Sequence, residues 1–240
     1  MTIHDMHYDF KVKFNKLDSQ GMRDLSVPEI DWILNESILM FVKQRFGQNN
    51  MMRSGFETLE KRFQDLKELV VKPPSSAPLT PQPVPDLPGV YKISLNDLSE
   101  KFLFMIRSYS NLTKGNCKVV ADNILVQHDD LNDILKHPYY SPSFEWEDNS
   151  IYLYTNNEFE INNVIIEYIK YPKRVAAPSL YLPTGSYYLP DGITLIGSDQ
   201  NCELSDHTHS EIVDIAVSNA YLYTQNPAIQ WAQNKLQINE

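Results

Sequence analysis

Few residues in this chain have the types and spacing that chemistry needs. Cys202, His207 and His209 lie close together, and Cys117 offers a fourth ligand for a zinc ion. Zinc takes four N or S ligands, tightly held. Here the spacing is irregular and the fourth ligand is remote, so His207 and His209 read better as polar residues at a helix entry. His128, Asp129, Asp130 and Asp133 offer oxygen and nitrogen donors for a hydrolytic metal site. The same aspartates suit the cap and first turn of a short helix. Glu145, Glu147 and Asp148 form the only other acidic cluster and read as a solvated turn. Glycine-rich phosphate loops, His-Glu-x-x-His and Gly-x-Ser-x-Gly are missing from the sequence. The expectation is a chain with no catalytic residue, no cofactor and no metal. What remains is a stretch of tyrosines and prolines: Tyr181, Tyr187, Tyr188, Leu189 and Pro190. Tyrosine buries area while keeping a polar tip, so these five residues are expected to form an interface with a protein partner. Stacking a sugar on the tyrosines is the rival reading.

The elements that must position this stretch are announced by caps and spacing. Ser26-Val27-Pro28-Glu29 is a capping box with proline in the first turn. Ile30, Ile33, Leu34, Ile38 and Phe41 follow at helical spacing, and Gly47 stops the helix, predicting a helix over 26–47. Ser54 and Glu57 repeat the box, and Phe56, Leu59, Phe63, Leu66 and Val70 predict a second helix over 54–70, closed by Pro73-Pro74. The two should form an αα-hairpin. A last helix, 207–236, carries Ile212, Val213, Ile215, Ala216, Val217 and Ala220, with a kink expected at Pro227.

Between the helices the pattern turns to strands. Residues 102–106, 118–120, 151–154 and 164–169 are β-branched or aromatic runs, and Lys114-Gly115-Asn116 marks a hairpin turn. A short helix is expected near Asp130–Lys136. The proline-rich stretch 73–89 reads as an extended connector. Residues 172–201 are long for a loop without periodicity, which suggests a partner-bound segment. Such a loop should be separable: deleting 177–200 is expected to spare the fold and impair docking.

The 240 residues suffice for a proper core, and 42% of them are hydrophobic. Two cysteines are too few for a disulfide framework. The first residues lack the apolar core of a signal peptide, and no apolar run approaches the roughly 20 residues of a membrane span, so a soluble protein made in the cytoplasm is expected. Residues 1–72 carry eleven Lys/Arg and eleven Asp/Glu, while 73–240 carry ten against twenty. An acidic body argues against tight binding to nucleic-acid phosphates. Such a surface can still face DNA that must slide past.

Taken in order, several segments resemble one family. HYDFKVKFNKLDSQ, VPEIDWILNESILMFVKQRFG and FETLEKRFQDLKELV are similar to the start of a virion structural protein of crAss-like and related short-tailed phages. HPYYSPSFEWEDNSIYLYTNNEFEINNVIIEYIKYPKRV resembles its middle, and CELSDHTHSEIVDIAVSNAYLY its closing helix. The resemblance covers most of the chain, and the proline-rich stretch and 176–201 match least. It implies a ring protein of the head-to-tail connector, similar in role to the tail-tubular or adaptor proteins of podoviruses. Such a protein forms a homododecamer stacked against the portal and adjacent tail ring or hub proteins. Genomic DNA passes through its lumen on ejection, without sequence-specific binding. Its place would be the virion, at the head–tail junction or tail, after synthesis in the bacterial host's cytoplasm. A tail hub, or a carbohydrate-binding tail module, is the alternative.

The expected fold class is α+β. A helical bundle is built from the N-terminal αα-hairpin (1–72) and a C-terminal helix (205–240). A proline-rich linker (73–89), an inserted antiparallel β domain (90–175) and a long extended loop (176–204) complete it.

Overall fold

The computed structural model describes residues 1–16, 25–47, 60–73, 77–85, 87–126, 142–147, 149–155, 159–181 and 184–223. The chain divides into two compact units. One joins Met1–Leu69 to Pro172–Glu240, and the other is the continuous stretch Val70–Tyr171. The α+β class holds: helices from both ends of the chain make one unit, and the β unit is inserted between them in the sequence.

The helical unit contains α1 (Ile3–Lys16), α2 (Val27–Phe46), α3 (Glu60–Leu66) and α4 (His209–Tyr223). Sequence reading overlooked α1. Its signal was present: Ile3, Met6, His7, Phe10 and Phe14 recur at helical spacing, and all are buried. Thr2 and Asp5 cap it reciprocally. The Thr2 amide donates to Asp5 Oδ2 at 2.8 Å, and the Asp5 amide donates to Thr2 Oγ1 at 3.2 Å. Helix α2 starts as expected, with the Ser26 amide donating to the Glu29 carboxylate at 2.7 Å. Its apolar stripe is buried throughout, and Leu34 is fully enclosed.

Helix α3 ends earlier than its pattern suggested. A single 3-10 turn, Lys67–Leu69, follows, and Val70 already lies in a strand. Two consecutive valines favour extended backbone, and ladder partners Ile169 and Tyr168 are available to them. The buried face is also rotated from the expected stripe: Arg62, Asp65 and Leu66 are inside, while Phe63 is 39% exposed. Residues 48–59, with the second capping box, lie outside the described residues, as do the expected short helix at 130–136 and Pro227.

Helix α4 is the centre of the unit. Ile212, Val213, Ile215, Ala216, Val217, Ala220 and Tyr221 are all buried, and both α1 and α2 pack on it. Small side chains at 216 and 220 permit the close approach. Tyr221 stacks on Phe14 with ring centroids 5.2 Å apart, and its hydroxyl donates to Phe14 O at 2.9 Å. Asp65 of α3, itself buried, pairs with Arg45 of α2 at 3.0 Å and with His207 Nε2 at 2.8 Å. Arg45 also reaches Glu211 of α4.

The β unit holds two sheets around one core. Strands β1 (Val70–Val71), β9 (Glu160–Lys170), β4 (Phe102–Lys114) and β5 (Cys117–Asp122) form the first, in that spatial order. The second runs β2 (Gln82–Pro83), β3 (Val90–Ser94), β8 (Ser150–Tyr154), β7 (Ser143–Glu147) and β6 (Ile124–Leu125). Leu112, Ile161, Val164 and Ile166 from the first sheet pack with Ile93, Phe144, Ile151 and Leu153 from the second. All pairings are antiparallel except β6 with β7, which is parallel and departs from the expected all-antiparallel domain. The Gly115-Asn116 turn joins β4 to β5 as expected, with Gly115 at φ 58°.

The proline-rich stretch is not a free connector. Leu79 is buried and exchanges two backbone bonds with Val164, at 2.8 and 2.9 Å. Gln82 and Pro83 then pair with β3. The segment carries the chain from one sheet to the other and seals that side of the β unit. On the opposite side Asn123 makes the same crossing. Its side chain accepts from Ser110 Oγ at 2.6 Å and donates to Ser108 Oγ at 2.7 Å.

Leu34 tests the helical packing. Leu34→Ala should cost about 2–5 kcal/mol in urea unfolding, through lost burial and the cavity left behind. Leu34→Asp should abolish folding, because the charge would be buried without a partner. A folded Leu34→Asp chain by circular dichroism would show that this face is not the core.

Candidate interface

The five residues expected to meet a partner sit on an ordered β-hairpin. Strands β10 (Tyr187–Tyr188) and β11 (Leu195–Ile196) pair antiparallel, Tyr187 opposite Ile196 and Tyr188 opposite Leu195. The tip is closed by Asp191, whose Oδ1 accepts from the Ile193 and Thr194 amides, both at 2.9 Å. Its Oδ2 accepts from Thr194 Oγ1 at 2.7 Å. These bonds from Thr194 and Ile193 hold the Asp191 carboxyl below its ordinary value. Gly192 supplies the left-handed conformation (φ 68°) that the tip requires. The turn signal Pro190-Asp191-Gly192 was readable in the sequence; only the strands beside it are too short to show a period.

Alternation separates the tyrosines. Tyr187 points inward and is 8% exposed, whereas Tyr188 is 61% exposed. Tyr187 is therefore corrected from partner contact to internal tie. Tyr181 packs edge-on against it, centroids 6.0 Å apart, and stays on the surface with Pro190, while Leu189 is half-buried. Two residues passed over earlier complete the exposed apolar face: Leu195, opposite Tyr188, and Ile193 at the tip, 84% exposed.

The hairpin is fixed by a buried polar group on α2. Asp31 Oδ2 accepts from the Tyr187 hydroxyl at 2.6 Å and from the Ala177 amide at 3.1 Å. Its Oδ1 lies 2.8 Å from His7 Nε2. All four residues are buried. A ring protonated at Nε2 donates to Asp31 and leaves Nδ1, which has no partner among the described residues, as a bare acceptor. Burial first, and then the bond to Asp31, push the Tyr187 hydroxyl well above its ordinary value of 10.0. One turn along α2, Asn35 donates to Val175 O at 2.8 Å and accepts from the Val175 amide at 2.9 Å. Removing 177–200 would strip Asp31 of two of its three partners, which argues against the expectation that the deletion spares the fold.

Of the remaining chemistry-bearing residues, His207, His209 and Glu145 are engaged within the fold. His209 is buried against Leu204 O at 2.9 Å, and His207 holds Asp65. Burial pushes the Cys202 thiol up to about 11, which suits an inert thiol. Cys117 belongs to the other unit and is exposed. Glu145 accepts from the Tyr154 hydroxyl at 3.1 Å. Residues 128–133 and Asp148 lie outside the described residues. His4, Ser179 and Asp199 resemble a hydrolytic triad in composition only. His4 Nε2 meets both Ser179 Oγ (2.9 Å) and Asp199 Oδ2 (2.8 Å). A triad needs the acid on the opposite ring nitrogen. The cluster joins α1 to the returning chain.

The chain matches no known family model, and no curated protein is significantly similar to it in sequence. Among the described residues no helix is long and apolar enough to cross a membrane.

Tyr187→Phe keeps the ring and removes one bond to Asp31. The variant should lose about 1–2 kcal/mol in urea unfolding at neutral pH. The alkaline limb carries a second signature. A hydroxyl raised on folding stabilises fully below pH 10 and loses that contribution as pH climbs past it. The Tyr187→Phe variant should therefore show a flatter stability profile above pH 10 than its parent.

Proposed function

We propose that this chain is a non-enzymatic ring subunit of a phage head-to-tail connector, with the β10–β11 hairpin docking a neighbouring virion protein. The observation that carries the reading is the chain order of the fold. A helical unit built from both ends of the chain, interrupted by a β unit at Val70–Tyr171, is the arrangement that the family resemblance implies. The hairpin adds support. A fixed tip presenting Tyr188, Ile193 and Leu195 has the aromatic and aliphatic character of an interface centre. In this reading twelve copies close a ring through a head-to-tail contact, and the portal and an adjacent tail ring or hub lie above and below. DNA passes through the lumen, and the ring resides at the head–tail junction of the virion.

Counted by structural unit, the helical unit carries thirteen Lys/Arg against eighteen Asp/Glu, and the β unit eight against thirteen. Each is net −5, so neither is the distinctly acidic body expected from the sequence blocks. Both remain poor phosphate binders, which suits a conduit that must not grip DNA. A carbohydrate-binding role loses one of its stacking tyrosines with the burial of Tyr187.

Negative-stain imaging of the purified chain, alone and mixed with a portal ring, tests the proposal. A closed ring in either sample is expected. A chain that forms no ring and does not bind the portal ring overturns it. Tyr188→Ser with Ile193→Ser should leave the fold and the ring intact while weakening attachment to the neighbouring virion protein at least tenfold, since truncating central interface contacts costs on the order of 2 kcal/mol.

A further inference from the structure

An open sheet edge is a liability, because its unpaired N–H and C=O groups template association. Among the described residues the β unit has four. Strands β1, β2 and β6 are two residues long, and β2 contains Pro83. These edges are blunted in the ways natural sheets use. Strand β5 is the exception: six residues, free of proline, paired on one side with β4 and with no strand on the other among the described residues. Its side chains are exposed except Ala121, and Val120 is 65% exposed.

The register fixes which residues face outward. The Asn123 amide donates to Ser108 O at 2.9 Å, so residues of odd number along β5 bond to β4. In an antiparallel ladder this alternates. Lys118, Val120 and Asp122 therefore turn their backbone groups to the open edge. Their side chains share one face, the sequence cation–apolar–anion at every second position. Such a triplet is complementary to its own reverse. Laid antiparallel on a second copy, Val120 meets Val120, and Lys118 meets Asp122 at both ends. Opposite charges directly across strands stabilise a pair, and like charges oppose it. Lys118 makes no ion pair among the described residues, and Asp122 shares its exposed carboxylate with Arg107 at 2.7 Å.

We propose that β5 is a self-association edge, pairing antiparallel with β5 of a second copy about a two-fold axis at Val120. The pairing offers both N–H and C=O of three residues on each strand and joins the two four-stranded sheets into one of eight. A two-fold contact uses the same patch on both copies and closes on itself. It is thus distinct from the head-to-tail contact of a ring, and either can fail without the other.

The test is sedimentation equilibrium of the full chain in reductant, which keeps Cys117 from cross-linking. The parent should be a dimer. Val120→Pro removes only an outward-facing N–H and leaves the β4 ladder intact, so the chain should stay folded by circular dichroism. Its dimer dissociation constant should rise at least about tenfold. Lys118→Glu and Asp122→Lys each place like charges across the axis, and each should be monomeric alone. Mixed in equal amounts, they should dimerise again, because both cross-strand pairs are then of opposite sign. A parent that stays monomeric to its solubility limit overturns the proposal. So does a dimer that survives both Val120→Pro and Lys118→Glu, or a mixture that fails to associate. Should Val120→Pro unfold the chain, the two charge variants and their mixture decide alone.

Discussion

The helical unit depends on one carboxyl group. Asp31 sits inside α2 where an apolar residue would be the simpler choice, and a buried acid without partners is costly. Here it has three: His7 from α1, the backbone at Ala177 and the hydroxyl of Tyr187. One partner comes from α1 and two from the returning segment 172–201. With Asn35 one turn on, the same face of α2 reads out the backbone at 175 and 177 as a neighbouring strand would. A segment with little hydrophobic pattern of its own thus acquires a unique path. Both carboxylate oxygens are bonded, and buried polar groups with defined partners specify a single arrangement.

That device explains what could and could not be read from residues alone. Helix α2 was legible because its cap, stripe and stop agree. Strands β4, β5, β8 and β9 were legible because runs of β-branched and aromatic residues leave few other choices. The segments at 73–89 and 172–201 were misread for a shared reason. Proline and glycine mark the absence of regular structure, but they do not say whether the chain is free or packed. Leu79 and Ala177 are buried through contacts made by partners distant in sequence: Val164 for one, Asp31 for the other. Local pattern carries no trace of such pairings. Helix α1 is a different case, since Thr2, Asp5 and the stripe through Phe14 were in plain view.

The five residues expected at an interface divide along the same line. Composition singled out the stretch that forms the hairpin, and strand alternation, which is not evident in two-residue strands, decides which of its residues face outward. Tyr187 and Tyr188 are neighbours of one type with opposite fates. One closes the unit from within, and the other faces solvent beside Leu195. Asp191 and Gly192 fix the backbone of the apolar tip.

The interrupted layout of the helical unit has a consequence for how the molecule is made. Residues 70–171 are contiguous, so the β unit can complete its core as soon as it has left the ribosome. The helical unit cannot. Helices α1 and α2 emerge first, yet both pack on α4, which follows some 160 residues behind α2. At about 5–20 residues per second, the stripe of α2 and the carboxyl of Asp31 wait on the order of ten seconds for their partners. Helices α1 and α2, made before the β unit, therefore reach their native packing after it. During that interval they present the apolar surface that chaperones recognise.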